Sequence, residues 1–282
     1  MNSLCIVGLG MIGGSLAGAL KVSAYDGEIT ALVRSEESGR RGVTLGLIDR
    51  YALHPEDIIP ETSVVMLAVP MLSMRSQLEA IKPYLTDDMV VTDAGSVKAP
   101  FIRDAQSVLG KLNRVVPGHP IAGREKTGMD AADPTLYHQK RVLLTPTSEA
   151  DDDAVEAVSE LWKLAGATVE ILGPEQHDRV LAATSHLPHV LAFALVDTLA
   201  TQQEAEEIFR YAAGGFKDFT RIASSDAIMW RDVCLTNRDA ILDSMDRLDD
   251  HMKKIRSAIA ESDSEKIETI FARARKARDA YT

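Results

Sequence analysis

The stretch Leu4-Cys-Ile-Val-Gly8-Leu-Gly10-Met-Ile-Gly13-Gly-Ser-Leu-Ala-Gly-Ala-Leu20 decides the fold. It opens with an apolar, strand-like run and closes on a helical pattern, with glycines at the first, third and sixth places of the turn between them. That spacing gives each glycine a task. Gly8 makes the tight turn, Gly10 lets the backbone approach a pyrophosphate, and Gly13 lets helix and strand pack closely. The pyrophosphate would lie on the free N–H groups at the helix start, beside Leu9, Met11 and Ile12.

The next strand, Ile29 to Val33, bears on the cofactor. An NAD site usually ends this strand with a carboxylate for the adenine ribose, whereas a 2′-phosphate wants an arginine instead. Here Val33 holds the acid's place and Arg34 and Ser35 follow, a guanidinium fork beside a hydroxyl. The expectation is NADP over NAD, with NAD still possible. Glu36 and Glu37 weigh against a phosphate, and Arg40 and Arg41 read first as a solvated helix face.

Further strand-like runs at 64–69, 89–92, 115–116, 141–145 and 168–172 alternate with helical stretches at 72–84 and 151–165. This alternation is α/β, a doubly wound parallel sheet of Rossmann type. Ligands bind such sheets beyond the carboxyl ends of the strands. Ala68, Val69 and Pro70 therefore join the cofactor contacts, and Ser96 and His119, each just past a strand, share one crevice. Trp162 and the Asp151–Asp153 run read as core and as favourable charge at a helix front.

From Pro174 the pattern is helical to the end, with Ile241, Met245, Leu248, Met252, Ile255 and Ile259 spaced by three or four. Two domains are expected: 1–173, which binds the dinucleotide, and 174–282, an all-helical substrate-binding and dimerisation domain. The broad apolar face is the ground for a homodimer.

Composition narrows the function classes. Lys and Arg number 31 against 42 Asp and Glu, a net charge of -11 that repels nucleic acid. The two cysteines, Cys5 and Cys234, lie far apart in core-like settings, as in a reduced compartment. The chain runs into its first strand directly after Met1, leaving no room for a signal peptide. The apolar run Val190–Ala200 carries Asp197 and falls short of the ~20 residues that span a bilayer. A cytoplasmic enzyme with a small-molecule substrate and no membrane partner is expected.

Two segments of the helical half carry chemistry. In Ser185-His186-Leu-Pro188-His189 the proline fits a first helical turn, placing His189 near a helix start that favours anions. No thiolate or carboxylate stands at ligand spacing, so no metal is expected. In Gly214-Gly-Phe-Lys-Asp-Phe-Thr-Arg221, the arginine is a candidate bidentate carboxylate clamp.

Taken together, the glycine turn, Thr92-Asp-Ala-Gly-Ser96-Val-Lys98, Gly118-His119-Pro-Ile-Ala-Gly123, Ser185 to His189, and Gly214 through Arg221 to Trp230 resemble the TyrA family of prephenate and arogenate dehydrogenases. They occur in family order over nearly the whole chain. The resemblance implies NAD(P)-dependent oxidative decarboxylation of prephenate to 4-hydroxyphenylpyruvate, or of arogenate to tyrosine. It implies that His119 takes the proton of the ring 4-hydroxyl, that Ser96 orients that hydroxyl, and that Arg221 holds a substrate carboxylate. By the same pattern His189 contacts substrate near the nicotinamide with His186 as support, and Lys98, Trp230 and Glu125 line the pocket. Arg124 stands where some relatives carry a small hydroxyl residue, and the choice between prephenate and arogenate stays open. Two other readings remain: a hydroxyacid-type Rossmann dehydrogenase with a lysine acid or base, and a silent NADP-binding sensor.

Overall fold

The computed structural model describes residues 3–123 and 128–281, so Arg124 and Glu125 lie outside the described residues. The first part of the chain gives β1 (Ser3–Val7), α1 (Met11–Lys21), β2 (Glu28–Leu32), α2 (Glu36–Thr44), β3 (Arg50–Ala52), β4 (Val64–Leu67), α3 (Met74–Ile81), β5 (Val90–Asp93), α4 (Ala99–Leu109) and β6 (Val115–Val116). Six parallel strands lie in the order β3-β2-β1-β4-β5-β6, the doubly wound order of dinucleotide-binding folds. Helices cover both faces, so the strands bury both side-chain sets. Leu4 and Ile6 join one core cluster while Cys5 and Val7 join the other. The strand β4 stops at Leu67, two residues earlier than the sequence pattern runs, and leaves Ala68 and Val69 in the crevice.

The strand β3 has no sequence signal of its own. It is three residues long at the sheet edge, and its Arg50 is held by Glu28 and Glu61. After β6 the chain forms β7 (Gly118–Pro120), β8 (Arg141–Leu144), α5 (Asp152–Leu164) and β9 (Thr168–Ile171). Here the sheet departs from the simple expectation. These strands make a second, three-stranded sheet in which β7 runs antiparallel to β8 and β8 parallel to β9. Trp162 is wholly buried, edge-on to Tyr137, as a core residue.

The helical region contains α6 (Pro174–Leu181), α7 (Leu187–Ala200), α8 (Ala205–Arg210), α9 (Gly214–Thr220), α10 (Ala227–Thr236), α11 (Arg238–Ala260) and α12 (Ser264–Ala280). A π turn at Ala182–His186 joins α6 to α7, so Pro174–Ala200 is one helix of 27 residues. Two sequence expectations change as a result. His189 stands in mid-helix, so the argument from a free helix start does not hold. The apolar helix is also longer than the run read from 190 to 200; by length and composition alone it is long enough to cross a bilayer, although it carries Glu175, Asp178, Arg179 and Asp197. Contacts divide the chain into two compact units, Met1–Arg238 and Asp239–Thr282. In the second unit Ile241 and Ala258 are buried, whereas Met252 and Ile259 are exposed.

Candidate active site

The glycine turn tests the fit of a dinucleotide directly. Gly8 has φ +96°, a conformation open to glycine, and a Cβ there would meet the Ala68 carbonyl oxygen at 2.7 Å. A Cβ on Gly13 would lie 2.5 Å from the Gly8 carbonyl oxygen, so helix and strand touch only because it is absent. Gly10 caps α1 without a side-chain hydrogen bond, and a Cβ there would meet nothing within 4 Å. The turn thus leaves open space in front of a helix N-terminus whose first turn carries no acidic residue, which fits a pyrophosphate.

At the end of β2, Val33 is buried, and Arg34 projects with no hydrogen bond or ion pair among the described residues. Ser35 already caps α2: its hydroxyl accepts from the Ser38 N–H at 3.3 Å and donates to the Ser38 hydroxyl at 3.1 Å. Glu36 is drawn aside by the Tyr51 hydroxyl, 2.6 Å away, and by Arg40. Arg41 pairs with Asp130.

His119 sits on β7 and is held from both sides of the preceding peptide. The Gly118 N–H donates to Asp93, and the Gly118 carbonyl accepts from the Lys98 ammonium at 2.6 Å. Lys98 also pairs with Asp93, and both side chains have no exposure. Burial opposes both charges, raising the Asp93 pKa and lowering that of Lys98, and each partially offsets the other. The sequence placed Lys98 in the substrate pocket; the structure places its ammonium underneath, bracing the strand that carries His119.

Two residues absent from the sequence reading complete the site. His119 Nδ1 lies 2.8 Å from His177 Nε2, and His177 Nδ1 lies 2.8 Å from the Asp178 carboxylate. A carboxylate accepts, so His177 donates through Nδ1; with both rings neutral, its Nε2 accepts from His119 Nδ1–H. The second nitrogen of His119, Nε2, is then left with a free lone pair, the form a general base needs. Burial, followed by the positive charges possible on His177, Lys98 and His186, holds the His119 pKa well below the ordinary histidine value. Burial works against the Asp178 carboxylate, but hydrogen bonds from His177 and from the Lys98 and Ala99 N–H groups outweigh it and keep its pKa low. Those two N–H groups open α4, so Asp178 also serves as an anion at that helix front. The sequence signal was there in Gln176-His177-Asp178, adjacent titratable residues in a first helical turn.

His186, Trp230 and His189 form a ring cluster. His189 stacks on Trp230 with centroids 3.7 Å apart and planes 21° apart, and His186 meets Trp230 edge-on at 6.0 Å. His189 Nδ1 donates to the Ser185 carbonyl at 2.9 Å. Ser96 is half-buried after β5 and has no side-chain hydrogen bond among the described residues. Arg221 is exposed on the 3-10 turn Arg221–Ser224, which packs against α7. Glu125 lies outside the described residues. No group of three or more metal-binding side chains occurs among the described residues.

A dinucleotide cradle and a buried neutral histidine on one scaffold define a NAD(P)-dependent dehydrogenase. The comparisons narrow this further. The family profile described as prephenate dehydrogenase, nucleotide-binding domain, matches residues 16–171, and that described as prephenate dehydrogenase, dimerization domain, matches residues 173–273. A cyclohexadienyl dehydrogenase of Zymomonas mobilis is 35% identical, covering 98% of this chain and 94% of the relative. A prephenate dehydrogenase of Bacillus subtilis is also 35% identical, covering 99% and 76%. The crystal structure of prephenate dehydrogenase from A. aeolicus in complex with hydroxyphenyl propionate and NAD+ superposes with a TM-score of 0.93 at 37% identity, covering 100% and 99%. The chain belongs to the prephenate dehydrogenase family.

Proposed function

We propose that the protein uses NADP in preference to NAD and that His119 is the base in the reaction its family membership assigns to it. That reaction is the NAD(P)-dependent oxidative decarboxylation of prephenate, arogenate or both, toward tyrosine. The observation that carries the base assignment is the His119–His177–Asp178 chain, which leaves the free nitrogen of the His119 ring on Nε2, while burial holds that ring neutral.

The bound nicotinamide supplies the hydride acceptor, while loss of carbon dioxide aromatises the substrate ring. The glycine turn and the residues after β4, Ala68 to Pro70, hold the dinucleotide. His119 Nε2 takes the hydroxyl proton, and the imidazolium that forms is stabilised through its hydrogen bond to His177, which the Asp178 carboxylate orients. Ser96 orients the same hydroxyl. Arg221 clamps a substrate carboxylate, and the His186, Trp230 and His189 rings wall the substrate and exclude water.

The NADP preference rests on the buried Val33 in the acid's place, on Arg34 at the end of β2, and on Glu36 being held by Tyr51 and Arg40. Ser35 reaches a 2′-phosphate only by giving up its hydrogen bond to the Ser38 hydroxyl. We place the functional boundary at 173/174. The helix α7 buries only Ala192 in the single chain although it is largely apolar, which favours a second copy of the chain as its cover. A bilayer is disfavoured because Asp178, on the same long helix, is tied into the site. Two free cysteines and the net charge of -11 fit the cytoplasm and no nucleic-acid partner.

The test is the initial rate of absorbance change on reducing the cofactor, with prephenate and arogenate each paired with NADP and NAD. Turnover with NADP preferred is expected. Turnover with NAD preferred removes the phosphate reading of Arg34, and no turnover in all four mixtures returns the chain to the silent-sensor reading.

A further inference from the structure

Asn237 follows α10, is 5% exposed, and belongs to no motif read from the sequence. Its side-chain Nδ2 lies 2.9 Å from the Asp178 carbonyl oxygen and 3.0 Å from His186 Nδ1. A backbone carbonyl only accepts, so the atom facing it is the amide nitrogen and the amide cannot be turned over. Its second hydrogen is therefore donated to His186 Nδ1. That ring nitrogen carries a lone pair, and the proton of the neutral ring sits on Nε2. The alternative tautomer, like the imidazolium, would set an Nδ1–H against the amide N–H.

Burial acts in the same direction, pushing the His186 pKa down to about 4. The Nε2 atom is itself buried and finds no acceptor among the described residues. The ring packs T-shaped against Trp230, with centroids 6.0 Å apart, and His189 lies stacked on that same indole. A T-shaped pair of rings is a favourable, weakly polar contact.

We propose that Asn237 is a positioning residue: by donating to His186 Nδ1 it fixes that imidazole as the Nε2–H tautomer and holds the His186–Trp230–His189 ring stack in register. Asp178 anchors both halves of the arrangement, its carboxylate holding His177 and its carbonyl holding Asn237. The link from ring stack to substrate rests on the function proposed above, whereas the tautomer does not.

The test has two arms. In protein labelled with [15N]histidine, long-range proton–nitrogen correlation reads the tautomer of each ring without substrate, and His186→Gln identifies the signal. The expected result is an Nε2–H signature that does not titrate between about pH 6 and 8. An Nδ1–H signature, or titration within that range, overturns the proposal.

In the second arm Asn237→Asp sets an acceptor opposite Nδ1. The His186 proton should move to Nδ1 or the ring become cationic, with KM for the substrate rising about tenfold and NADP affinity changing less than about twofold. Asn237→Ala removes the donor without adding charge and should give mixed tautomers, so a poorly folded Asp variant still leaves a decisive comparison. An unchanged His186 signature in both variants overturns the tautomer assignment. A changed signature with unchanged KM overturns the link to the ring stack. An enzyme inactive on both substrates defeats the proposed function, and the spectrum of the unmodified protein still decides the tautomer.

Discussion

The glycine turn at Gly8–Gly13 and the imidazole cluster around His177–His189 build sites in opposite ways. The first works by omission: where Cβ atoms are missing, backbone approaches backbone at Gly8 and Gly13, and space stays open at Gly10. The second works by side chains from separate elements, with Asp178 and His177 on α6, His119 on β7, Trp230 on α10 and Asn237 after it. A site made by omission depends on the spacing of its glycines and on the backbone that packs against them, at Gly8 the Ala68 carbonyl. A site made by hydrogen-bonded rings depends on protonation, and so on everything that buries and pairs those rings.

The contrast can be broken or sharpened by mutation. The largest effect is expected for His119→Asn, which should lower kcat by roughly 10² or more while leaving NADP affinity nearly unchanged; steady-state rates beside equilibrium cofactor titration check this, and an unchanged kcat takes His119 out of the mechanism. Gly13→Val should do the reverse. Its added carbons have no room against the Gly8 carbonyl, and NADP affinity should fall by about 10². The contrast fails if cofactor binding survives that change in a folded protein.

Acid should act on the ring cluster and spare the turn. The folded pKa of His186 lies near 4 against an ordinary value of 6.5, so between those values the unfolded chain binds the extra proton. Stability from this ring is complete above about pH 6.5 and is lost as pH falls toward 4, about 3 kcal/mol in all. Urea midpoints across that range should fall less steeply in His186→Gln, and parallel curves would remove the ring from the account. Arg221→Ala should raise the substrate KM by roughly tenfold to a hundredfold, with cofactor affinity unmoved. If only cofactor binding suffers, the arginine serves the other site. The smallest effect is expected for Arg34→Ala, which should weaken NADP about tenfold and NAD little; equal losses for both undo the phosphate reading.

The same contrast explains what the sequence disclosed. The strand–glycine–helix unit was legible because its physics is local, and the parallel order followed from alternation. The strand β7 was hidden because Pro117, Gly118 and Pro120 break a strand pattern, although the strand is a short edge segment that tolerates them. His189 was misplaced relative to the helix because Pro188 looked like a helix beginning, and a π turn carries the helix past it. His177, Asp178 and Asn237 were passed over because their roles come from partners 58, 80 and 51 residues away, at His119, Lys98 and His186. Lys98 was singled out as a pocket position by the family resemblance, but its depth was invisible without the fold.

One consequence concerns exchange of parts between relatives. The proposed base, His119, stands on β7, ahead of the boundary proposed at 173/174, and the two residues that continue its hydrogen-bond chain stand just after that boundary, at 177 and 178. A chimera joined at that boundary inherits its base from one parent and the tuning of that base from the other. Its catalytic fitness therefore hinges on a three-residue match across the seam, however well each parent's fold is preserved.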